Sequence, residues 1–239
     1  MSAVFKRELR SFFTSPVAYT CLAIMTFISG LFFYFNNLVG NYRSLTPVFS
    51  NLFGLGCFLV LPILSMRLFS EEKRQKTDQA LFTAPVSLTG IVMGKFFAAM
   101  VVYLVGISVT LVLACVIAFY GDPGWITVFS GWFGLALYGG MVIAAGLFFS
   151  CLTESQLVAA LATFTFEIGL SFIAALTTFF TNEKVIAVVQ KIVDFLSANV
   201  RYSRFLSGVI HYSDIVFFLS MQALFLFLAV RVLDRKRWA

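Results

Sequence analysis

Residues 67–95 read RLFSEEKRQKTDQALFTAPVSLTGIVMGK and form the longest polar interruption in the first half of an otherwise apolar chain. This stretch contains five of the seventeen Lys and Arg residues and three of the eleven acidic residues. The sequences on both sides of it are apolar and long enough to cross a bilayer. We therefore interpret residues 67–95 as a cytoplasmic loop of a membrane protein, to which a soluble partner binds.

The composition of the whole chain indicates a polytopic membrane protein. Of 239 residues, 60% are apolar and only 12% are charged, and the mean hydropathy is +0.95. A soluble domain of this size cannot bury so much apolar surface, because a large part of any fold faces outward. A surface that faces lipid removes this difficulty.

Six apolar runs have about the length that is needed to cross the hydrocarbon core of a membrane. We place the spans at residues 17–35, 48–66, 96–119, 127–150, 157–180 and 214–233. Each must be helical, because backbone groups in lipid have to be satisfied within the segment. The predicted fold class is therefore all-α, with residues 1–239 forming a single transmembrane domain.

The distribution of positive charge predicts the orientation of the spans. If the N-terminus lies inside, twelve of the seventeen Lys and Arg residues fall in inner segments and five in outer segments. Positive residues are enriched in cytoplasmic loops. Both termini are therefore expected to be cytoplasmic, which agrees with an even number of spans.

Short amphipathic helices are predicted outside the spans. Residues 4–15 place apolar and basic side chains on opposite faces of a helix that would lie on the membrane surface. The residues assigned to this interface are Phe5, Lys6, Arg7, Arg10 and Phe12. Two further short helices, at 185–196 and 200–212, are expected at the outer leaflet between spans five and six.

No catalytic or cofactor-binding motif is present in the sequence. The GIVMGK run at 90–95 has three residues between its glycines, where a phosphate-binding loop has four, and Phe96 stands where Ser or Thr should follow. The four cysteines are far apart and form no CxxC pair. We expect no enzymatic activity, no bound cofactor or metal and no nucleic-acid partner.

Two acidic positions are candidate functional residues. Glu167 lies near the middle of the fifth span, where a carboxylate is unfavourable by about 2.5–3.5 kcal/mol. It either lines a transport pathway or is a buried carboxyl group that bonds a neighbouring Thr or Ser. Asp214 lies beside His211 at an outer end, where we expect a solvated pair rather than a metal site.

Two local patterns resemble a known family of membrane proteins. FKRELRSFFTSP at 5–16 is similar to the basic lead-in of type-2 permeases, the membrane subunits of ATP-binding-cassette (ABC) exporters. EEKRQKTDQALFTAPVS at 71–87, followed by Gly94 and Lys95, resembles the charged segment of the same family, although Lys76 replaces the usual Gly. The gliding-motility-type branch is the most similar.

The resemblance implies that a separate ATPase subunit, which binds ATP and Mg, docks on the inner loop. The loop would contain a coupling helix, since a short helix with an apolar patch can bind in a groove of a partner. A plain solvated loop is the alternative. The docking residues assigned on this basis are Glu71, Glu72, Thr77, Leu81, Phe82 and Pro85.

The resemblance further implies a transport complex in the bacterial cytoplasmic (inner) membrane. The chain would form a homodimer, or pair with a related permease or auxiliary membrane subunit, and would export or extract a substrate. Two other functions are left open. One is a non-transporting scaffold of a larger ATP-driven machine, and the other is a stand-alone carrier or channel with Glu167 as its ion site.

Overall fold

The computed structural model describes residues 2–74, 87–173 and 197–237, and all regular elements within these ranges are helical. Two π-helical segments, Tyr34–Val39 and Leu52–Cys57, extend α2 and join α3 to α4. The helices in chain order are α1 (Ser2–Thr14), α2 (Pro16–Phe33), α3 (Thr46–Asn51), α4 (Phe58–Arg74), α5 (Leu88–Ala118), α6 (Trp125–Leu152), α7 (Gln156–Phe172), α8 (Ala198–Leu206) and α9 (Tyr212–Arg237).

Five helical stretches in the described ranges are long and apolar enough to cross a membrane. They are Pro16–Val39, Thr46–Arg74, Leu88–Ala118, Trp125–Leu152 and Tyr212–Arg235. They coincide with the first four predicted spans and the sixth. The fifth predicted span, 157–180, begins in α7, but residues 174–180 lie outside the described part of the chain. Six spans and cytoplasmic termini therefore stay predictions.

The second span is longer than its apolar run. The predicted span ends at residue 66, whereas helix α4 continues to Arg74. A hydrogen-bonded ion pair within the helix, from Arg67 to Glu71 at 2.8 Å, stabilises the added turns. Glu71 and Glu72 consequently belong to a regular helix that enters the docking segment.

Helix α6 lies at the centre of the bundle. It packs against α4, α5, α7, α8 and α9, and most of its residues are buried. Glycines permit these contacts, because a Cβ at Gly139 would overlap the ring of Tyr103, and a Cβ at Gly146 would overlap Ser65. Small residues in membrane helices allow such close approach.

Helix α1 lies against the start of α5. A Cβ at Gly94 would be only 3.1 Å from Val4, so the two helices are in close contact there. Ser15 caps α2, which begins at Pro16, so the chain turns from α1 into the first span where the sequence predicts. The position of α1 relative to a membrane surface stays a prediction.

The region between α7 and α9 is described only from residue 197. The predicted short helix at 185–196 lies outside the described residues. The predicted helix at 200–212 corresponds to α8, Ala198–Leu206, which is shorter and packs against α6. Tyr202 and Phe205 are buried there whereas Ser203 is exposed, so one face of α8 packs on the bundle. Its position relative to the outer leaflet stays a prediction.

Candidate functional site

The predicted docking segment connects α4 to α5, and most of it lies outside the described ranges. Four of the predicted docking residues belong to this part: Thr77, Leu81, Phe82 and Pro85. Their role stays a prediction. Directly after the segment, the Ser87 hydroxyl accepts a hydrogen bond from the Gly90 amide at 3.2 Å and caps α5. The segment is thus bordered by a helix on each side.

Four charged side chains meet where α1, α4 and α5 come together, and we call them the Lys95 cluster: Arg7, Glu8, Glu72 and Lys95. The ammonium of Lys95 lies 2.9 Å from Oε1 of Glu72 and 3.3 Å from Oε2 of Glu8. Arg7 donates hydrogen bonds to the same carboxylates, at 2.6 Å to Glu8 and 3.1 Å to Glu72. Each carboxylate therefore contacts two cations, and the formal charges of the cluster cancel.

Lys95 is the buried centre of this cluster. Only 1% of the residue is exposed, and its ammonium lies 4.9 Å from the ring centre of Phe69. Taking an ammonium out of water costs several kcal/mol unless ionic and hydrogen-bonding partners offset the loss. The two carboxylates supply those partners, so the position of Lys95 depends on α1 and α4 together.

Arg7 forms the outer part of the cluster. Its side chain is more than half exposed, which weakens its ionic contacts through solvent screening. Its hydrogen bond to Glu8 raises the pKa of the guanidinium above the ordinary value. Arg7 accordingly remains charged and neutralises the cluster without being buried.

Two further contacts fix the end of α4. Arg67 donates from Nη1 to the Ser15 hydroxyl at 2.5 Å, which connects α4 to the turn between α1 and α2. Lys73 donates to the carbonyl oxygen of Cys151, near the end of α6. A cation is favourable at the C-terminal end of a helix, where carbonyl groups are unpaired. The last two turns of α4 therefore contact α1, α5 and α6 as well as the turn between α1 and α2.

A cavity of about 260 Å³ opens beside the Lys95 cluster, between α1 and α4. Arg67 and Glu71 line it together with Ser11 and the cluster residues. Positive and negative side chains around it are balanced, so it favours neither an anion nor a cation. The arrangement joins helices and offers no activated nucleophile or metal site.

The predicted interface residues occupy two faces of α1. Lys6, Arg7 and Arg10 are exposed, whereas Phe12 is buried against the bundle and Phe5 is half-buried. The apolar face of α1 thus contacts protein, chiefly α5. Whether its basic face contacts lipid headgroups stays a prediction.

Glu167 lies on α7 and is completely buried. Neither of its carboxyl oxygens has a hydrogen-bond partner among the described residues, and the same holds for the hydroxyl of buried Tyr138. The hydrogen bond to Thr or Ser that a purely structural role would require is not found in this part of the chain. A role in transport stays a prediction.

A second charged cluster, which the sequence analysis missed, connects α8 to α9. Arg201 donates to Oδ1 of the fully buried Asp214 at 2.6 Å, and Arg204 contacts the same oxygen at 3.2 Å. The expected solvated pair of Asp214 with His211 is therefore wrong. One signal for this cluster was available in the sequence. Arg201 and Arg204 stand only a short distance before Asp214, on the other side of a single turn.

The comparison with protein families identifies the chain. A family model described as "ABC-2 family transporter protein" matches residues 14–177, which is well over half of the chain. The chain belongs to the ABC-2 transporter family. The match includes the docking segment, Lys95 and Glu167, but it begins after Glu8. A comparison with curated proteins finds no match.

Membership of the ABC-2 transporter family confirms the broad prediction of a multi-pass permease subunit. Membrane subunits of this family work in general with a separate ATP-binding subunit. The clusters around Lys95 and Asp214 fix helices within such a subunit, and neither provides chemistry for ATP hydrolysis.

Proposed function

We propose that this chain is the membrane subunit of an ABC exporter, in which a separate ATPase docks on the segment between α4 and α5. Two copies, or one copy and a related permease, would enclose the route for the substrate. The resemblance to gliding-motility-type permeases favours the bacterial cytoplasmic membrane, with both termini inside. Transport would export the substrate or extract it from the membrane.

The observation that carries this proposal is the Lys95 cluster. It connects the two helices that border the docking segment, because Glu72 lies at the end of α4 and Lys95 lies two turns into α5. Glu8 adds α1 to the same unit. A movement of the docked ATPase would therefore displace three helices together instead of bending a loop.

The contacts of α4 extend this movement into the bundle. Lys73 contacts the end of α6, which packs against α4, α5, α7 and α9. Since α4 and α5 are both parts of long spans, their displacement at the cytoplasmic end would be carried across the membrane. ATP-driven closure of the partner would in this way move the spans that enclose the transport route.

A stand-alone carrier is the second candidate function. The observation that favours it is the completely buried carboxyl group of Glu167 without a hydrogen-bond partner in the described ranges. Acidic residues within membrane helices often mark ion or proton pathways. Such a carrier would work in liposomes that contain this chain and no ATPase.

Copurification tests the docking proposal. The tagged chain is expected to retain an ATPase subunit, and Leu81→Asp with Phe82→Asp is expected to release it, because two carboxylates would disrupt an apolar patch. Val209→Asp with Ile210→Asp is the matched control, since both residues are exposed between α8 and α9. Retention of the ATPase by the Leu81 and Phe82 double variant would place the docking site elsewhere.

Variants of Glu72 are less suitable for this test. Glu72 has contacts within the chain to Arg7 and Lys95, so its reversal would disturb the bundle as well as any docked partner. ATPase activity of the purified complex provides a second measurement. Less ATPase activity should copurify with the Leu81 and Phe82 double variant, because the ATPase is released, while the five described spans remain inserted.

A further inference from the structure

The second span changes its hydrogen-bonding pattern part-way along its length. The π-helical segment Leu52–Cys57 divides this span into α3 and α4. In a π-helix each amide bonds the carbonyl group five residues earlier, instead of four as in an α-helix. Directly after the segment, the amide of Phe58 bonds the carbonyl group of Leu55, which is the spacing of a 3₁₀-helix. The α-helical hydrogen bonds are therefore interrupted between α3 and α4.

Pro62 weakens the helix immediately after this interruption. It lies inside α4 and is buried. In a regular α-helix the amide of residue 62 would bond the carbonyl group of Phe58, but proline has no amide hydrogen. Sharp kinks in helices occur mainly at proline and at π-helical bulges, and both are present between Leu52 and Pro62. We call residues 52–62 the joint of the second span.

The two sides of the joint are bonded to different helices. On the α3 side, Phe49 is buried and its carbonyl oxygen accepts a hydrogen bond from the hydroxyl of Tyr202 on α8 at 3.4 Å. On the α4 side, Lys73 donates to Cys151 of α6, and the Lys95 cluster joins α4 to α1 and α5. A displacement between these two groups of helices would therefore be absorbed at the joint.

A buried hydroxyl group lies beside the joint without a hydrogen bond. The ring of Phe53, in the π-helical segment, packs against Tyr138 of α6 and Tyr202 of α8, with ring centres 4.5 Å and 4.3 Å away. The hydroxyl of Tyr138 has no hydrogen-bond partner among the described residues. A buried hydroxyl without a partner destabilises the conformation that buries it. A conformation in which Tyr138 gains a polar contact is favoured by the same amount.

We propose that the second span bends at this joint, so that α4 takes two positions relative to α3. In the position described above, Tyr138 packs against Phe53 and its hydroxyl lacks a partner. In the second position the π-helical segment moves Phe53 away, and the hydroxyl of Tyr138 gains a polar contact. Helix α5 is α-helical from Leu88 to Ala118 and moves as one piece. Both positions occur in the chain by itself, so the inference does not depend on ATPase docking.

Distances between spin labels in the full-length chain test this inference. One pair of labels is placed on the two sides of the joint, at the exposed residues Ser50 on α3 and Arg74 on α4. The matched pair is Thr89 and Val112 on α5, which are exposed and have almost the same separation in sequence. Labels are attached to cysteines in a Cys115→Ser background, because the other native cysteines are buried. Double electron–electron resonance in lipid nanodiscs should give a distance distribution about twofold wider for the first pair.

Three variants make the measurement specific to the joint. Pro62→Ala restores the missing amide and should narrow the Ser50–Arg74 distribution to the width found for α5. Pro47→Ala is the matched control and should leave the width unchanged, because Pro47 lies in the first turn of α3, where amides have no partner within the helix. Tyr138→Phe removes the unsatisfied hydroxyl and should lower the population of the second position about tenfold.

Three results would overturn the inference. One is an equal width for the two label pairs, a comparison that needs no substitution in the joint and so does not depend on the folding of a joint variant. Another is an unchanged distribution in either Pro62→Ala or Tyr138→Phe. The third is equal narrowing by Pro47→Ala and Pro62→Ala, which would show that the position of the proline in the span is unimportant.

Discussion

The Lys95 ammonium on α5 lies 2.9 Å from Oε1 of Glu72 on α4, and the pair joins the two helices that border the predicted docking segment. Both side chains are mostly shielded from solvent. Because Glu8 of α1 lies 3.3 Å from the same ammonium, three helices share one buried cation. The base of the docking segment is therefore a fixed junction between helices.

Removal of the buried cation should destabilise the bundle strongly. Lys95→Met keeps the apolar stem but removes the buried ammonium that lies between Glu8 and Glu72 and leaves the exposed Arg7 as the remaining cation of the cluster. We expect the free energy of unfolding to fall by about 3–5 kcal/mol, as for other broken buried ion pairs. Reversible unfolding in mixed micelles measures the change.

Two comparisons make the Lys95→Met experiment specific. Lys6→Met removes an exposed cation from α1 and should have little effect. Adding Glu8→Gln and Glu72→Gln to Lys95→Met should recover part of the stability, since the two side chains that faced the lost ammonium are then neutral. A triple variant less stable than Lys95→Met alone would contradict this account.

The cluster around Asp214 should also contribute to stability, with unequal contributions from its members. Asp214→Asn removes the fully buried carboxylate that lies 2.6 Å from the nearly buried Arg201, and we expect a loss of about 3–5 kcal/mol. Arg204→Gln should cost below about 1 kcal/mol, because Arg204 is partly exposed. Thermal unfolding in detergent provides the comparison, with Asp234→Asn on the same helix as the control. Equal effects of Asp214→Asn and Asp234→Asn would show that the buried pair is unimportant.

Close packing of α5 and α6 should tolerate no side chain at Gly139. Gly139→Ala would force the buried ring of Tyr103 to move, at a cost of about 1–3 kcal/mol. The control is Gly30→Ala, where nothing lies within 4 Å of the added Cβ. The helix propensity of alanine favours both variants alike, so a lower melting temperature for Gly139→Ala alone isolates the steric effect.

Glu167 can be tested with an isosteric replacement. Because neither carboxyl oxygen has a partner among the described residues, Glu167→Gln should fold and assemble with its partners normally. If Glu167 lines the route, transport should fall about tenfold, which corresponds to about 1.4 kcal/mol in the barrier. The measurement is substrate flux in proteoliposomes at a matched amount of assembled complex. Unchanged flux would exclude Glu167 from the transport pathway.

The sequence predicted the spans better than their ends. Apolar runs identify membrane helices because lipid imposes a length and a composition on them. The continuation of α4 to Arg74 could not be found in this way, since ionic contacts rather than hydropathy stabilise its last turns. The short helix predicted at 200–212 corresponds to α8, whose aromatic face packs on the bundle, and its position relative to a membrane surface stays a prediction.

Contacts between distant residues explain what the sequence missed at the site. Glu8 and Lys95 both lie in motifs that resemble the family, but no local pattern joins them to each other or to Glu72. Their contact follows from the packing of α1 on α5, which depends on the fit between Val4 and Gly94. For the same reason, proximity in the sequence favours a pair of Asp214 with its neighbour His211, which the fold does not form.

The position of Glu8 has a consequence for any shortened version of the chain. Similarity to the family begins at residue 14, and a domain boundary drawn there would omit α1. Such a truncation would leave the ammonium of Lys95 with Glu72 alone and expose the face of α5 around Gly94. The Lys95 cluster thus contains residues on both sides of the position where similarity to the family begins. The shortest stable fragment should therefore begin before Val4.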